Sequence, residues 1–276
     1  MSEFIKQDIV VDGVRVQVLE AGGGQPLVYF HGAGTMSSLQ ELLPLAKDRR
    51  LIVPYHPGFG ASEDDTRINS ILDYVVHYTA LFDQLGLVEP VDLVGHSLGG
   101  WIASMFAILK GHRVRRLALA CPAGLRVAAH PTTDLFTIRA DKFPSYLVAN
   151  PAILERMAST QVTNEMKITR YREMTSLARV AWDRNYEPKL ERWLGHVSNP
   201  TLILWGEQDR AIPVQQASYW AKRITNSEIA TFGGAGHLLF LETSKAVDRL
   251  GSFFGADTGD LKKVAGELQQ EWRKHE

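Results

Sequence analysis

Short apolar runs alternate with amphipathic segments along most of this chain, a pattern typical of strands that alternate with helices. Strands are predicted over residues 5–11, 14–20, 26–30, 50–54, 91–94, 116–120, 200–205 and 228–232. Helices are predicted over residues 37–47, 68–85, 101–110, 214–224, 237–254 and 260–274. Asp12 and Gly13, between the first two strands, form a strong hairpin signal. The alternation indicates an α/β fold with a mostly parallel sheet and right-handed crossovers, starting with an antiparallel hairpin.

The alternation stops after Gly124. From residue 124 to residue 197 the chain has only helical segments rich in Arg, Glu, Met and aromatic residues, which four prolines divide. A helical insertion between two strands is expected to cover their carboxyl ends, where open α/β sheets bind ligands. The predicted organisation is a core over residues 1–123, a helical cap over 124–197, and a second part of the core with a C-terminal helix over 198–276.

Composition and charge restrict the class of protein. The chain has 276 residues, of which 45% are hydrophobic and 22% charged, so a sizeable core can be buried. A net charge of −1 does not suggest nucleic acid or an anionic membrane as a partner. Cys121 is the single cysteine, and no apolar run is long enough to cross a bilayer. We therefore expect a cytoplasmic protein, a monomer or a homodimer, that acts on a small molecule.

No spacing of histidines or cysteines typical of a metal site occurs, and neither does a P-loop or a glycine-rich dinucleotide motif. We therefore expect neither a metal nor a cofactor.

One serine occupies a position typical of a nucleophile. Ser97 lies in a G-x-S-x-G motif between the strand 91–94 and the helix 101–110. Such a sharp turn forces the serine towards positive φ, and Gly95 and Gly99 are needed because side chains there would collide. The turn exposes the hydroxyl above a helix N-terminus, next to free backbone N–H groups. Alone, however, the motif is also compatible with an ordinary glycine-rich turn.

A serine nucleophile needs a base, and the base needs an acid that orients it. His237 follows the last predicted strand in a glycine-rich loop, and Asp209 follows the strand 200–205. Glu207 is a weaker candidate for the acid. The order serine, acid, histidine is the one expected when a nucleophile turn of this kind is present. Together these residues predict a catalytic triad of Ser97, Asp209 and His237.

The same chemistry needs donors for a developing oxyanion. The N–H of Leu98, directly after the nucleophile, is one expected donor. The other is expected from the loop after residue 30, from Ala33 or, as a close second, Gly34. His31 is expected to fix this loop by hydrogen bonds.

The sequence resembles the α/β-hydrolases over nearly its whole length. The resemblance rests on His-Gly-Ala-Gly at 31–34, Pro-Gly-Phe-Gly-Ala-Ser at 57–62, Gly-His-Ser-Leu-Gly-Gly at 95–100, Trp-Gly-Glu-Gln-Asp at 205–209 and Gly-Ala-Gly-His at 234–237. It implies the α/β-hydrolase fold, with an eight-stranded sheet, helices on both faces and an inserted helical cap. It also implies a Ser97–Asp209–His237 triad, but it is not specific for substrate.

Several residues are candidates for contact with substrate. Aromatic residues of the cap, among them Phe143, Tyr146 and Trp182, are expected to supply an apolar lining, although most such side chains pack against the core. His31, His56, His96 and Leu238 lie next to the predicted catalytic loops and are further candidates.

Three functions remain open. The first is a serine hydrolase that cleaves a carboxylic ester or lactone of a small, partly hydrophobic substrate through an acyl-enzyme. The second is a carbon–carbon bond hydrolase of diketones from aromatic catabolism, which this chain resembles in length and cap. Those enzymes usually carry Asn and Trp where this chain has His96 and Leu238. The third is a ligand-binding receptor or pseudoenzyme on the same fold.

Overall fold

The computed structural model describes residues 3–34, 39–159 and 161–255. The strands in these residues are β1 (Ile5–Val11), β2 (Val14–Gly22), β3 (Gln25–Phe30), β4 (Arg49–Pro54), β5 (Val91–His96), β6 (Val114–Ala120), β7 (Thr201–Gly206) and β8 (Ser227–Phe232). Within the described residues they form one sheet in the order β1-β2-β4-β3-β5-β6-β7-β8. The β1–β2 and β2–β4 pairs are antiparallel and the other pairs are parallel, which confirms the predicted fold class.

The hairpin at the start of the sheet turns at Asp12 and Gly13. Their φ angles are 50° and 83°. Positive φ at both central residues matches the right-handed twist of the flanking strands, and glycine and aspartate tolerate it better than most residues. Val11 pairs directly with Val14, so the register follows from the two-residue turn. The predicted hairpin is confirmed.

Helices cover the central strands. The α-helices in the described residues are α1 (Ile71–Gln84), α2 (Leu98–Lys110), α3 (Phe143–Leu147), α4 (Pro151–Ser159), α5 (Asn164–Ala181), α6 (Leu190–Trp193), α7 (Gln216–Arg223), α8 (Leu239–Glu242) and α9 (Ser244–Gly255). Helix α2 packs against β3, β5 and β6, and α7 packs against β7 and β8. Strands β5 and β7 are buried at every position, as parallel strands covered on both faces require. None of these described helices has the length and apolar character needed to cross a membrane.

Helix α1 begins three residues later than the predicted range 68–85. A capping box sets its start, because the Ser70 hydroxyl accepts the N–H of Asp73 and the Asp73 carboxylate accepts the N–H of Ser70. Gly86, with a φ of 66°, follows the helix in the left-handed conformation expected of a helix-ending glycine.

Two other predicted helices differ from the structure. The range 37–47 contains a 3-10 helix, Gln40–Lys47, and residues 35–38 lie outside the described residues. Pro44 lies inside it and lacks the N–H that an α-helix would use there. The range 237–254 is divided into α8 and α9, because Thr243 adopts an extended backbone with φ −148° and ψ 122°. The predicted helix 260–274 also lies outside the described residues.

The segment between β6 and β7 contains α3 to α6 and two 3-10 turns, Leu135–Thr137 and Leu194–His196. The chain leaves the sheet at Gly124, which has a φ of 98°. A Cβ there would lie 2.5 Å from Cγ of Trp101, so a larger residue would collide with the indole ring. The segment is helical, as expected, and its boundaries as a domain over residues 124–197 remain a prediction.

Two buried histidines and a tyrosine hold the loop after β3. The N–H of His56 donates to Nε2 of His31 at 2.9 Å, and Nε2–H of His56 donates to the carbonyl of His31 at 2.8 Å. Nδ1–H of His31 donates to the carbonyl of Gly32 at 2.6 Å, and the Tyr78 hydroxyl contacts Nδ1 of His56. Burial lowers the pKa of His31 to about 4 and that of His56 well below its usual value. Both rings are therefore neutral and fully hydrogen-bonded.

Two further buried histidines are also held neutral. Burial lowers the pKa of His77 to about 4 and that of His96 to about 3. Nε2–H of His96 donates to the carbonyl of His237 at 2.8 Å. These groups titrate near pH 6.5 in the unfolded chain, so protonation favours unfolding.

The free energy of unfolding should therefore fall as the pH drops from about 6.5 towards 4. Between these values the unfolded chain binds protons that the folded chain does not, so stability rises with pH. Each such histidine should destabilise the fold by roughly 2 kcal/mol at pH 5 relative to neutral pH. Urea unfolding at pH 7, 6 and 5 would measure this dependence, and His77→Gln should make it shallower. Equal slopes for both proteins would contradict the role of His77.

Glycine at position 99 should be essential for the packing of α2 against β3. A Cβ there would lie 2.0 Å from the carbonyl oxygen of Phe30, which is backbone and cannot rotate away. Gly99→Ala should therefore cost about 2 kcal/mol or more in urea unfolding. Gly23→Ala is the matched control, because nothing lies within 4 Å of its added Cβ. The control should stay within about 0.5 kcal/mol of the parent protein.

Candidate active site

Ser97 lies in a sharp turn between β5 and α2. Its φ is 53° and its ψ is −115°, a strained conformation for a residue with a Cβ. A Cβ on Gly95 would lie 2.3 Å from the carbonyl oxygen of Gly99, so both glycines are needed for the chain to reverse. The carbonyl of Ser97 accepts the N–H groups of Trp101 and Ala123, at 3.1 and 3.0 Å. The predicted positive φ of Ser97 is confirmed.

The side chains of Ser97, Asp209 and His237 meet beyond the carboxyl ends of β5, β7 and β8. Nε2 of His237 lies 2.8 Å from Oγ of Ser97, and Nδ1 lies 2.8 Å from Oδ2 of Asp209. An ionised carboxylate only accepts hydrogen bonds, so Nδ1 carries the proton and Nε2 is left to accept the serine proton. The structure thus brings the three predicted residues into one line of hydrogen bonds.

Asp209 is held by its own loop. Its Oδ1 accepts the N–H groups of Ala211 and Ile212, at 2.9 and 2.8 Å, while its Oδ2 faces the histidine. The side chain is buried, so these donors replace water around the charge. Glu207, the weaker candidate for the acid, instead accepts the Thr231 hydroxyl at an exposed position. Geometry therefore selects Asp209 as the partner of His237.

Cys121 is buried beside Asp209 and His237. Donor atoms of Cys121, Asp209 and His237 lie within 4.8 Å of one another, the one such group in the described part of the chain. Burial and the Asp209 carboxylate raise the pKa of the thiol well above its usual value, so the thiol stays protonated. A metal would require its deprotonation and would displace the hydrogen bonds of His237. The group is therefore suited to hydrogen bonding rather than to a metal ion.

The predicted oxyanion donors lie on two sides of Ser97. Leu98 is the first residue of α2, so its N–H has no acceptor within the helix. Ala33 and Leu98 both line the cavity beside Ser97, whereas Gly34 is exposed and lies outside the lining. A Cβ on Gly32 would lie 3.3 Å from Cβ of Ser97, so this backbone passes close to the nucleophile. The roles of all three donors remain predictions.

A cavity of about 60 Å³ lies beside Ser97, under the inserted segment. Most of its lining is apolar, and no Lys or Arg is among the described residues that form it. Besides His237, the one ionisable side chain there is that of Asp134. The lining consists of Ala33, Ser97, Leu98, Trp101, Ala123, Thr132, Thr133, Asp134, Leu135, Phe136, Leu177, Ala181, Asn185, Ala211, Ile212 and His237.

The part of the insertion that covers the cavity is attached to the loop of the acid. The N–H of Thr133 donates to the carbonyl of Ala211 at 2.9 Å, and its hydroxyl donates to the carbonyl of Arg210 at 2.8 Å. Oδ1 of Asp134 accepts the N–H of Phe136 at 3.0 Å and starts the 3-10 turn there. The backbone that leads into Phe136 is thus held at Thr133 and at Asp134.

The residues predicted to contact substrate lie outside this cavity, and their contact with substrate remains a prediction. None of the seven lines the cavity; they are His31, His56, His96, Phe143, Tyr146, Trp182 and Leu238. The three histidines are buried, and their hydrogen bonds hold the loops around the site. Leu238 packs in a small apolar cluster with Val148 and Ile153.

Phe143, Tyr146 and Trp182 lie outside the cavity lining. Phe143 and Tyr146 are half-buried on α3, and Trp182 is 71% exposed, with its ring 5.1 Å from that of Phe136. The cavity is covered instead by Leu135, Phe136, Leu177 and Ala181. The last two lie four residues apart on α5, and that apolar spacing is a signal by which the sequence could have revealed them.

Comparison with curated proteins gives relatives along almost the entire chain. A 2-hydroxymuconate semialdehyde hydrolase of Pseudomonas sp. strain CF600 is 30% identical over 261 residues, covering 87% of this chain and 90% of that protein. A 2-hydroxy-6-oxo-2,4-heptadienoate hydrolase of Pseudomonas putida F1 is 27% identical over 261 residues, covering 88% of this chain and 93% of that protein.

Solved structures share the fold. A serine hydrolase of the polyaromatic hydrocarbon-degrading bacterium Cycloclasticus zankles aligns with a TM-score of 0.77 at 22% identity, covering 91% of this chain and 98% of its own. The 2-hydroxy-6-oxo-6-phenylhexa-2,4-dienoate hydrolase of Rhodococcus sp. strain RHA1 aligns with a TM-score of 0.75 at 21% identity, covering 93% and 100%. Residues 27–250 match the family described as the alpha/beta hydrolase family. The chain belongs to the alpha/beta hydrolase family.

Proposed function

We propose that this hydrolase cleaves a carboxylic ester or lactone of a small, partly hydrophobic and uncharged substrate. The observation that carries the proposal is the hydrogen-bonded line from Ser97 through His237 to Asp209 beside an apolar cavity. A serine hydroxyl with an imidazole nitrogen at 2.8 Å and an oriented carboxylate behind it is the arrangement that acyl transfer requires.

In the first half of the reaction, Oγ of Ser97 attacks the substrate carbonyl while Nε2 of His237 takes its proton. The amides of Leu98 and Ala33 stabilise the oxyanion, and Asp209 stabilises the imidazolium. Collapse breaks the bond to the leaving alkoxide, which receives the proton from His237. In the second half, water gives a proton to His237 and attacks the acyl-enzyme, and the acid is released as Ser97 regains its proton.

The charge of the lining favours an uncharged substrate. A carboxylate on a ligand in a small apolar cavity is stable only when a cation or several donors accompany it. The described lining offers no Lys or Arg, and the carboxylate of Asp134 would repel an anion. The small volume favours short acyl groups.

Ser97→Ala should lower kcat/KM for p-nitrophenyl acetate and butyrate by at least about 10³-fold, because the nucleophile is removed. The parent protein should hydrolyse these esters faster than the octanoate. Ser252→Ala, an exposed serine on α9, is the matched control and should keep full activity. Equal activity of the parent and Ser97→Ala would exclude the mechanism. Labelling of Ser97 by a fluorophosphonate without repeated turnover of any ester would favour the receptor instead.

The second candidate is hydrolysis of a carbon–carbon bond next to a ketone. It is favoured by the relatives, several of which are named as hydrolases of 2-hydroxymuconate semialdehyde or of 2-hydroxy-6-oxo-dienoates. The dienoates among these substrates carry a carboxylate, for which the described cavity lining supplies no cation.

The two candidates differ in their response to charge at position 134. If the cavity disfavours anions, Asp134→Asn should raise kcat/KM for a coloured 2-hydroxy-6-oxo-dienoate about threefold to tenfold relative to a neutral ester. Asp141→Asn, an exposed carboxylate elsewhere in the insertion, is the control and should leave this ratio unchanged. Ester hydrolysis would be rejected as the main activity if the parent protein hydrolysed the coloured dienoate with a higher kcat/KM than it shows for any ester.

A further inference from the structure

Glu242, the last residue of α8, places its carboxylate between two segments that are far apart in sequence. Oε1 accepts the backbone N–H groups of Ala149 and Asn150, each at 2.8 Å. Oε2 accepts the N–H of Gly236 at 2.6 Å. One carboxylate thus joins the insertion, between α3 and α4, to the residue that directly precedes His237.

The backbone on the other side of His237 is tied in the same way. The N–H of Leu238 donates to the carbonyl of Leu147 at 2.9 Å, while the carbonyl of His237 itself accepts from His96. The backbone on both sides of His237 is therefore linked to the insertion, through Glu242 at Gly236 and directly at Leu238. A Cβ on Gly236 would lie only 3.0 Å from the nitrogen of Ala149, so the two segments are in direct contact.

The charge of Glu242 strengthens these contacts. Asn150 directly precedes α4, so the carboxylate lies at the start of a helix, where the backbone dipoles favour negative charge. Hydrogen bonds from N–H groups to an ionised carboxylate are about twice as strong as those between neutral groups. Moving residues 147–150 away would therefore break the strong hydrogen bonds from Ala149 and Asn150 to Oε1 of Glu242. Oε2, which binds the N–H of Gly236, belongs to the same carboxylate, so the position of that acceptor would change as well.

We propose that Glu242 is a positioning residue, which makes the alignment of His237 depend on the insertion being in place. With residues 147–150 seated, the backbone of 236–238 is fixed and the imidazole faces both Ser97 and Asp209. With that segment displaced, Leu238 loses its partner, Glu242 loses the two donors at its Oε1, and the carboxylate that binds Gly236 is no longer fixed from the insertion side. The orientation of the base is thus coupled to the seating of residues 147–150 of the insertion. This proposal rests on the triad of the proposed function, but not on the identity of the substrate.

Glu242→Gln tests the link directly. The amide has one acceptor oxygen and one NH₂ group, so it must face at least one of the three N–H donors with another donor. We expect kcat for p-nitrophenyl butyrate to fall about 10- to 100-fold while KM changes less than about threefold, because the base and not the pocket is disturbed. The rate at which a fluorophosphonate labels Ser97 should fall by the same factor.

Ala149→Pro tests the insertion side and leaves the sequences of Glu242 and of the histidine loop unchanged. It removes one N–H donor, and the preceding Val148 already has the extended backbone that a residue before proline requires. We expect kcat and labelling to fall at least about fivefold. The control is Asn150→Ala, which keeps the N–H to Glu242 but loses the side-chain cap on Ala152. It should remain within about twofold of the parent protein.

Hydrogen exchange of the parent protein gives a test that needs no variant. The amides of residues 149, 150 and 236 should exchange at similar rates, because a single opening event exposes all of them. Clearly separate rates would overturn the proposal, and so would parental kcat and labelling in folded Glu242→Gln or Ala149→Pro. If the fluorophosphonate labels Ser97 more slowly in both variants but the parent protein hydrolyses no ester, the positioning role is supported and ester hydrolysis is rejected.

Discussion

The left-handed backbone of Ser97 is the constraint on which the rest of the site depends. A serine with a φ of 53° is strained, and it persists because Gly95 lets β5 approach α2 and Gly99 lets α2 approach β3 to backbone contact. The turn directs the hydroxyl towards the ends of β7 and β8, where the acid and the histidine arrive. The loop after β3 is then held by neutral, buried histidines, whereas the loops of Asp209 and His237 are held by backbone N–H groups that donate to the carboxylates of Asp209 and Glu242.

Much of the fold and of the site's geometry could be predicted because it follows from local chemistry. The strand–turn–helix pattern around Ser97 predicts the sharp turn that holds the serine. The loop after β7 carries Asp209, and the loop after β8 carries His237, the residue types needed to orient a base and to accept a serine proton. Parallel strands bring such loops to one edge of the sheet, so Asp209 and His237 could be expected beside Ser97 without knowledge of distances. The hairpin at Asp12 and Gly13 is equally local.

Contacts within the insertion could not be predicted in the same way. Composition showed that aromatic residues were abundant there, but the face that each presents depends on tertiary packing. Trp182 is therefore exposed, while Phe136, a few residues from a hydrogen-bonded Thr133, covers the cavity. Histidines near a catalytic loop resemble ligand contacts in sequence, yet His31 and His56 are buried and bind backbone groups. The burial and backbone hydrogen bonds of both rings, which the sequence does not reveal, distinguish a structural histidine from one that contacts a ligand.

The attachments of the insertion have a consequence for how such proteins diversify. Thr133 is bonded to the loop of Asp209, and Leu147 to the residue after His237, so the insertion shares its anchors with the reacting groups. A chimera that exchanged the whole segment with that of another family member would also exchange the supports of the Asp209 and His237 loops. New substrate ranges are therefore more accessible through replacements on α5 and in the turn at 135–137 than through transfer of the segment as a module.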